Sequence, residues 1–176
     1  MNPAPPPSLG LSGPLALVVM GVSGSGKTTI GRLLAARLRW PFFDGDDYHP
    51  EANVARMAAG HPLTDADRQP WLGQLRDLIQ EHLALGESSV VACSALKRSY
   101  RATLKAGDDR VRFLHLEGDF DLILGRMHSR AGHFMKAGML RSQFETLEPP
   151  AQAIVIAVDV PPETVIEAAI QALRGG

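Results

Sequence analysis

Apolar residues occur along the chain in two kinds of pattern. Short apolar runs, typical of strands buried on both faces, are bounded by turn-forming residues and fall at 15–20, 41–43, 89–93, 111–116 and 154–158. Between these runs, apolar residues recur at intervals of three and four, which indicates amphipathic helices. Because the two patterns alternate, the sequence predicts an α/β fold in which helices cover both faces of a parallel sheet.

The N-terminal segment differs in composition from the rest of the chain. Residues 1–14 contain five prolines and two glycines. They lack the basic start and the apolar middle of a signal peptide, so we expect a disordered Pro-rich leader without a function of its own. Residues 15–176 contain no internal repeat and suit one domain with a single core.

Composition narrows the classes of partner. The chain has 176 residues, of which 45% are hydrophobic and 21% charged, and its net charge is −1. A net charge this close to zero does not attract nucleic acid or an anionic membrane surface, and we expect neither partner. No apolar run approaches the ~20 residues that are needed to span a bilayer. The single cysteine, Cys93, excludes an internal disulfide and fits a reducing compartment, so we expect a cytoplasmic protein.

One motif carries most of the chemical information. The segment after the first predicted strand fits G-x-x-x-x-G-K-[ST], and a helical pattern follows it, which is the context in which this motif forms a phosphate-binding loop (P-loop). In such a loop the lysine reaches the β- and γ-phosphates of ATP, and the Ser/Thr hydroxyl binds Mg²⁺. The predicted nucleotide-binding residues here are Gly21, Val22, Ser23, Gly24, Ser25, Gly26, Lys27, Thr28 and Thr29.

Two polar clusters follow the second and third predicted strands, where ligands bind in open parallel sheets. In the first cluster, Asp44 and Asp46 are candidates for metal and substrate binding, although Asp and Gly are also common in plain acidic turns. The second cluster holds an anionic substrate or forms a solvated helix face, and it comprises the cations Lys97, Arg98 and Arg101.

A pair of arginines marks a candidate lid. Arg126 and Arg130 lie four residues apart and therefore on one face of a predicted helix, which a glycine at position 132 interrupts. Because the guanidinium fork suits phosphate oxygens, we expect a mobile lid at about 126–138 that closes over the nucleotide. The alternative is a surface face that forms salt bridges.

Four segments together resemble the gluconate kinases, a family within the adenylate-kinase and shikimate-kinase group of P-loop phosphotransferases. They are GVSGSGKTT at 21–29, FDGDDYHPEANVARMAAGHPLTDADRQPWL at 43–72, CSALKRSYR at 93–101 and GHFMKAGMLRSQFETLEPP at 132–150. The resemblance implies a five-stranded parallel sheet in the order 2-3-1-4-5 and a common homodimeric state. It implies transfer of the γ-phosphoryl of ATP to the 6-hydroxyl of D-gluconate, whose product enters central carbon metabolism by the pentose phosphate pathway.

The resemblance also implies roles for residues. Asp46 resembles the second acid of the shikimate-kinase Asp-x-Asp pair and would take the hydroxyl proton, while Lys27 and Arg130 would stabilise the transferring phosphoryl group. The gluconate carboxylate calls for a cation, and its hydroxyls call for polar partners. The unranked candidates are Arg56, Lys97, Arg98 and Arg101 for the carboxylate, and His49 and His133 for the hydroxyls.

The chain departs from the wider P-loop pattern at one point. No aspartate ends the third strand, which runs instead into Cys93 and Ser94, so Mg²⁺ would depend on Thr28, the phosphates and water, with Asp44 nearby. We expect Cys93 to be a small buried residue, not a nucleophile. Two alternatives stay open: a kinase of the same fold for shikimate or a nucleoside monophosphate, and a nucleotide-binding regulator without phosphotransfer.

Overall fold

A computed structural model describes residues 9–129 and 137–175. The strands of this part are β1 Ala16–Met20, β2 Phe42–Asp44, β3 Ser89–Ala92, β4 Val111–Glu117 and β5 Ala153–Ala157. The α-helices are α1 Lys27–Leu38, α2 Glu51–Ala58, α3 Asp65–Ala84, α4 Arg98–Lys105, α5 Phe120–Ser129, α6 Ala137–Thr146 and α7 Pro162–Arg174. A 3-10 helix over Gly45–Tyr48 follows β2 directly.

The strands form one parallel sheet in the order β2-β3-β1-β4-β5. Strand β1 is central and pairs with β3 and β4, with Val18 opposite Val91 on one side and Phe113 on the other. All five residues of β1 are buried, as the continuous apolar run predicted. The α/β class and the strand order are therefore confirmed.

Two hydrophobic clusters cover the two faces of the sheet. The first contains buried residues of α1, α5, α6 and α7, among them Leu34 and Ile170. The second contains buried residues of α3 and α4, among them Leu75 and Leu104. The molecule thus has the predicted three layers, and the central strand contributes alternate side chains to each cluster.

Local signals fix several element ends. A capping box begins α3, in which the N–H of Asp67 donates to Thr64 Oγ1 at 3.1 Å and the N–H of Thr64 donates to Asp67 Oδ2 at 2.8 Å. Strand β2 ends one residue later than predicted, so Asp44 is its last residue and not the first of a loop. This shift places the Asp44 side chain at the sheet's carboxyl edge.

The predicted boundaries need one correction at the N-terminus. Leu9 is 8% exposed and belongs to the first cluster, and Leu11 packs against it, so part of the predicted leader contacts the folded domain. Residues 1–8 lie outside the described residues. So do residues 130–136, which make up most of the lid predicted at about 126–138. Within residues 9–129 and 137–175, no helix combines the length and apolarity needed to cross a membrane.

Candidate active site

The loop between β1 and α1 depends on glycine at two positions. Gly21 and Gly24 have φ of 147° and 79°, in the range that disfavours other residues. A Cβ at Gly21 would lie 2.8 Å from Ser25 Oγ and 2.9 Å from the Leu116 carbonyl oxygen, and one at Gly24 would lie 2.7 Å from Met127. The loop can therefore close tightly against β4 and α5 only because both side chains are missing.

The same loop is built to receive an anion. Helix α1 begins after Gly26 with no side-chain cap, so its first N–H groups are open to an anionic ligand at the positive end of the helix. The buried Ser25 Oγ has no hydrogen-bond partner among the described residues. Burial lowers the pKa of Lys27, an effect that Asp46 and Asp44 oppose, and its Nζ donates to the Val22 carbonyl at 3.0 Å. These features fit a phosphate chain.

Ser23 has a partner that the sequence did not indicate. Its N–H donates to Gln143 Oε1 at 2.7 Å, and Gln143 Nε2 donates back to Ser23 Oγ at 3.0 Å. The Ser23 amide was predicted to bind phosphate, but here it is satisfied by a side chain of α6. The P-loop is thereby fastened to the helix that follows the predicted lid.

A cavity of about 270 Å³ joins the P-loop to the acidic cluster. Thr28 Oγ1 donates to Asp44 Oδ2 at 2.8 Å, and the Asp46 N–H donates to Asp44 Oδ1 at 3.2 Å, so Asp44 links the loop to the 3-10 helix. The carboxylates therefore face the phosphate site and do not form a plain surface turn. The cavity is lined by Ser23, Gly24, Gly26, Lys27, Thr28, Thr29, Asp44, Asp46, Ala92, Arg126 and Met127.

The residues present fit a magnesium–nucleotide complex better than a metal held by protein alone. Among residues 9–129 and 137–175, no group of three or more His, Cys, Asp or Glu side chains is arranged to hold a metal. Thr28 and Asp44 offer a hydroxyl and a carboxylate beside the phosphate site, and Mg²⁺ commonly completes such a shell with phosphate oxygens and water.

The lid prediction can be followed for only one of its arginines. Arg126 lines the cavity, and its Nη2 donates to the carbonyl oxygen of Val158, just after β5. This places Arg126 beside the loop at 159–162, which follows β5. Arg130 and His133 lie outside the described residues.

His49 lies on one wall of the site. Its ring stacks on Trp71 with a centroid distance of 4.1 Å and an interplanar angle of 18°, and Trp71 Nε1 donates to the Gly45 carbonyl at 2.7 Å. Burial lowers the pKa of His49, Asp46 opposes that shift, and Arg68 adds to it. The 3-10 helix, α2 and the first two turns of α3 together form this wall. We call it the acceptor wall.

Two of the predicted carboxylate-binding cations already have acidic partners. Arg56 Nε lies 3.4 Å from Asp67 Oδ2, and Lys97 Nζ lies 2.8 Å from both carboxylate oxygens of Asp65. The Tyr100 hydroxyl also donates to Asp65. Arg56 and Lys97 are thus near the acceptor wall, but each is engaged in an ion pair.

Arg101 and Arg98 have contacts that do not favour their predicted role in substrate binding. The Arg101 guanidinium is buried and donates to the carbonyls of Ala95, Leu96 and Glu148, each at 2.9 Å. Arg98 and Arg101 both line a groove separate from the P-loop cavity, with Phe113 and Pro150. Three of the five N–H donors of Arg101 thus bind backbone carbonyls, so this side chain holds the segment at 95–96 to the segment at 148.

Cys93 is a buried residue, as predicted. It is 2% exposed, and burial raises the pKa of its thiol to about 12, so it is not a thiolate nucleophile at neutral pH.

Sequence reasoning missed several residues of the site. Trp71 and Asn53 contact His49, Gln143 holds the P-loop, and Arg68 belongs to the acceptor wall. Arg68 and Trp71 are three residues apart on a helix next to Asp67, so helical spacing could have placed them on one face. Nothing local to Gln143 signals its role.

The parallel sheet, the P-loop at the end of its central strand and the opposed carboxylates define a P-loop phosphotransferase that uses ATP and acts on an alcohol group. A model of the shikimate kinase family matches residues 23–149. The chain is 46% identical over 161 residues to the gluconokinase of Gluconobacter oxydans (strain 621H), with 90% of each chain covered. It is 50% identical over 135 residues to the thermosensitive gluconokinase of Escherichia coli (strain K12), with 77% of this chain and 72% of the relative covered.

A solved structure supports the same assignment. The crystal structure of a gluconokinase from Sinorhizobium meliloti 1021 matches with a TM-score of 0.81 and 43% identity, over 91% of each chain. The chain belongs to the gluconokinase family, within the shikimate kinase-like group of P-loop kinases.

Proposed function

We propose that this protein is a gluconokinase, which transfers the γ-phosphoryl group of ATP to the 6-hydroxyl of D-gluconate and releases ADP and 6-phospho-D-gluconate. The observation that carries the proposal is the cavity that places Lys27, Thr28 and Asp46 together. Identities of 46% and 50% to gluconokinases support the choice of acceptor.

The nucleotide side of the reaction needs charge neutralisation. Lys27 and the amides at the start of α1 would hold the β- and γ-phosphates, and Thr28, with Asp44 behind it, would hold Mg²⁺. Bound there, Mg²⁺ would neutralise charge on the phosphate oxygens. The ammonium of Lys27 would stay in contact with the γ-phosphoryl group during its transfer, because Lys27 is part of the loop that holds the phosphates.

The acceptor side needs orientation and a proton acceptor. Asp46 lines the cavity, and its backbone is fixed by the bond to Asp44, so its carboxylate can accept the proton of the 6-hydroxyl. As that oxygen bonds to the γ-phosphorus, the bond from phosphorus to the bridging oxygen breaks, and ADP leaves with the electron pair. A carboxylate suffices because the proton is lost late in a loose transition state.

Arg126 and Arg130 would close over the nucleotide as part of a lid at about 126–138. Arg126 supports this proposal by lining the cavity. Closure would exclude water, which competes with gluconate as acceptor. We assign to Arg130 the stabilisation of the transferring group, a role that contributes roughly 10³–10⁵ in rate for arginine fingers.

The remaining proposals concern the oligomeric state, the cellular location and the partners of the protein. We propose a cytoplasmic homodimer that feeds the pentose phosphate pathway and takes no nucleic acid or membrane partner. A near-neutral net charge of −1 and the lone buried cysteine support a reducing, soluble setting. Size-exclusion chromatography with light scattering tests the dimer.

The direct test is ATP turnover by the purified protein with Mg²⁺, measured through ADP release, with and without D-gluconate. We expect strong stimulation by gluconate and little by shikimate or AMP, the acceptors of the two alternative kinases. Product analysis must show phosphate on the 6-oxygen. Slow ATP hydrolysis that no acceptor stimulates would favour the regulator, and preference for shikimate would replace the proposed acceptor.

A further inference from the structure

Arg68 stands out among the cations of the acceptor wall. It is the fourth residue of α3 and is half-buried, and its guanidinium carbon lies 5.8 Å from the centre of the Tyr100 ring. Trp71, three residues later on the same helix face, donates to the carbonyl of Gly45, between Asp44 and Asp46. Arg68 therefore lies on the same face of α3 as a contact to the segment that carries the proposed proton acceptor, and its charge acts on His49, which follows that segment.

The charges around Arg68 are already distributed among other partners. Asp67 forms an ion pair with Arg56. Asp65 forms an ion pair with Lys97 and accepts a hydrogen bond from the Tyr100 hydroxyl. Within the described ranges 9–129 and 137–175, Arg68 forms no ion pair, although its charge acts on His49, Asp65 and Cys93. A half-buried guanidinium has five donors and no acceptor of its own, so an anionic ligand would satisfy it.

We propose that Arg68 binds the carboxylate of the acceptor. The acceptor then runs along the acceptor wall, with its charged end at Arg68 and its terminal hydroxyl at Asp46. This proposal rests on the proposed function, and it names the residue that makes a sugar acid preferred over a neutral sugar. The planar fork of arginine suits the two carboxylate oxygens, a geometry that lysine does not reproduce.

The test compares Arg68→Gln with wild type on D-gluconate and on D-gluconamide, which replaces the carboxylate by a neutral group of similar shape. We expect the KM for gluconate to rise roughly 30- to 1,000-fold, as for loss of a buried charged partner. The KM for ATP and turnover of gluconamide should change less than about threefold, so the preference for gluconate should collapse. Arg68→Lys should fall between the two.

Arg76→Gln is the matched control, because Arg76 lies on the same helix and pairs with its exposed neighbour Asp77. It should behave as wild type. Unchanged ATP affinity in Arg68→Gln shows that the variant is folded. An unaltered KM for gluconate, or an equal loss on gluconate and gluconamide, would overturn the proposal.

Calorimetric binding of gluconate in the presence of ADP separates this proposal from the proposed function. If gluconate binding depends on Arg68 but wild type transfers no phosphoryl group, the proposed function is refuted and the carboxylate-binding role of Arg68 is supported. If wild type and Arg68→Gln bind gluconate equally, the carboxylate-binding role of Arg68 is refuted, whether or not wild type phosphorylates gluconate. Absence of binding to wild type would refute both.

Discussion

At the residue scale, Asp46 occupies the position where a carboxylate can act on an acceptor without holding the metal. It lines the cavity opposite Lys27, whereas the neighbouring Asp44 is occupied by Thr28 Oγ1 and by the Asp46 N–H. We therefore propose that Asp44 organises the loop and that Asp46 acts on the substrate hydroxyl.

Asp46→Asn should lower kcat by roughly 10²–10⁴, because the amide cannot accept the hydroxyl proton. ATP affinity should stay near wild type, since Lys27 and the loop amides are untouched. Steady-state kinetics and ATP titration measure the two quantities. Asp47→Asn is the control, because Asp47 is exposed and does not line the cavity. Near-normal kcat in Asp46→Asn would remove Asp46 from the role.

Individual residues show why the sequence predicted one half of the site better than the other. The P-loop is contiguous, so its glycines, Lys27 and Thr28 could be assigned from one motif. The cations were assigned by their place after a strand, but Lys97 pairs with Asp65, and Arg101 binds the carbonyl of Glu148 in addition to those of Ala95 and Leu96. Arg68, which forms no ion pair with the residues that the structure describes, could be recognised only after the pairs of its neighbours Arg56 and Lys97 were known.

At the element scale, polar side chains fasten helices to loops that are distant in sequence. The sequence pattern did not indicate these contacts. Arg101 of α4 holds the segment 95–96 and the turn at Glu148, and the Glu148 carboxylate accepts from the Arg98 N–H at 2.6 Å. Ala95 within that segment has φ of 45°, a conformation that needs such support.

Arg101→Ala should lower the free energy of unfolding by about 2–4 kcal/mol, because three carbonyls lose a charged donor. Urea denaturation measures the change. Lys105→Ala, one turn along the same helix and paired with exposed Asp109, should cost under about 1 kcal/mol. If Arg101→Ala instead kept its stability and raised the KM for gluconate, our removal of Arg101 from the substrate site would be wrong.

Gln143→Ala should weaken nucleotide binding by roughly 3- to 30-fold, because the P-loop loses two hydrogen bonds from α6. Ser23→Ala, which keeps the backbone half of the contact, should have a smaller effect. Ser142→Ala, at an exposed position on the same helix, is the control. Titration with ADP and the KM for ATP give the readout, and a Gln143→Ala variant that matches Ser142→Ala would show that the contact does not position the loop.

At the scale of the whole molecule, the parallel sheet decides where the chemistry lies. The carboxyl ends of β1, β2 and β3 meet at one edge, which brings the P-loop, the acids and the acceptor wall together from three separate segments. This part of the arrangement followed from the alternation of strands and helices. The same packing also buries polar groups that no pattern indicated, and His115 of β4 is one of them.

His115 should make folding stability depend on pH. It is 4% exposed, and its Nδ1 has no partner in the part of the chain that the structure describes. Burial lowers the pKa of His115 below its ordinary value of 6.5, Glu117 opposes that shift, and Arg101 adds to it. The unfolded chain therefore binds a proton more readily than the folded one, so this residue reduces stability as pH falls below about 6.5.

We expect the free energy of unfolding of wild type, relative to His115→Gln, to be constant above pH 7 and to decrease between pH 6.5 and 5. Each unit by which the pKa is lowered contributes about 1.4 kcal/mol to that decrease. Urea titrations at pH 7.5, 6.5 and 5.5 measure it, and the comparison cancels the carboxylates common to both chains. Replacement of exposed His61 by Gln should leave the pH dependence of wild type unchanged. A difference between wild type and His115→Gln that is the same at all three pH values would mean that His115 does not titrate differently in the folded and unfolded chains.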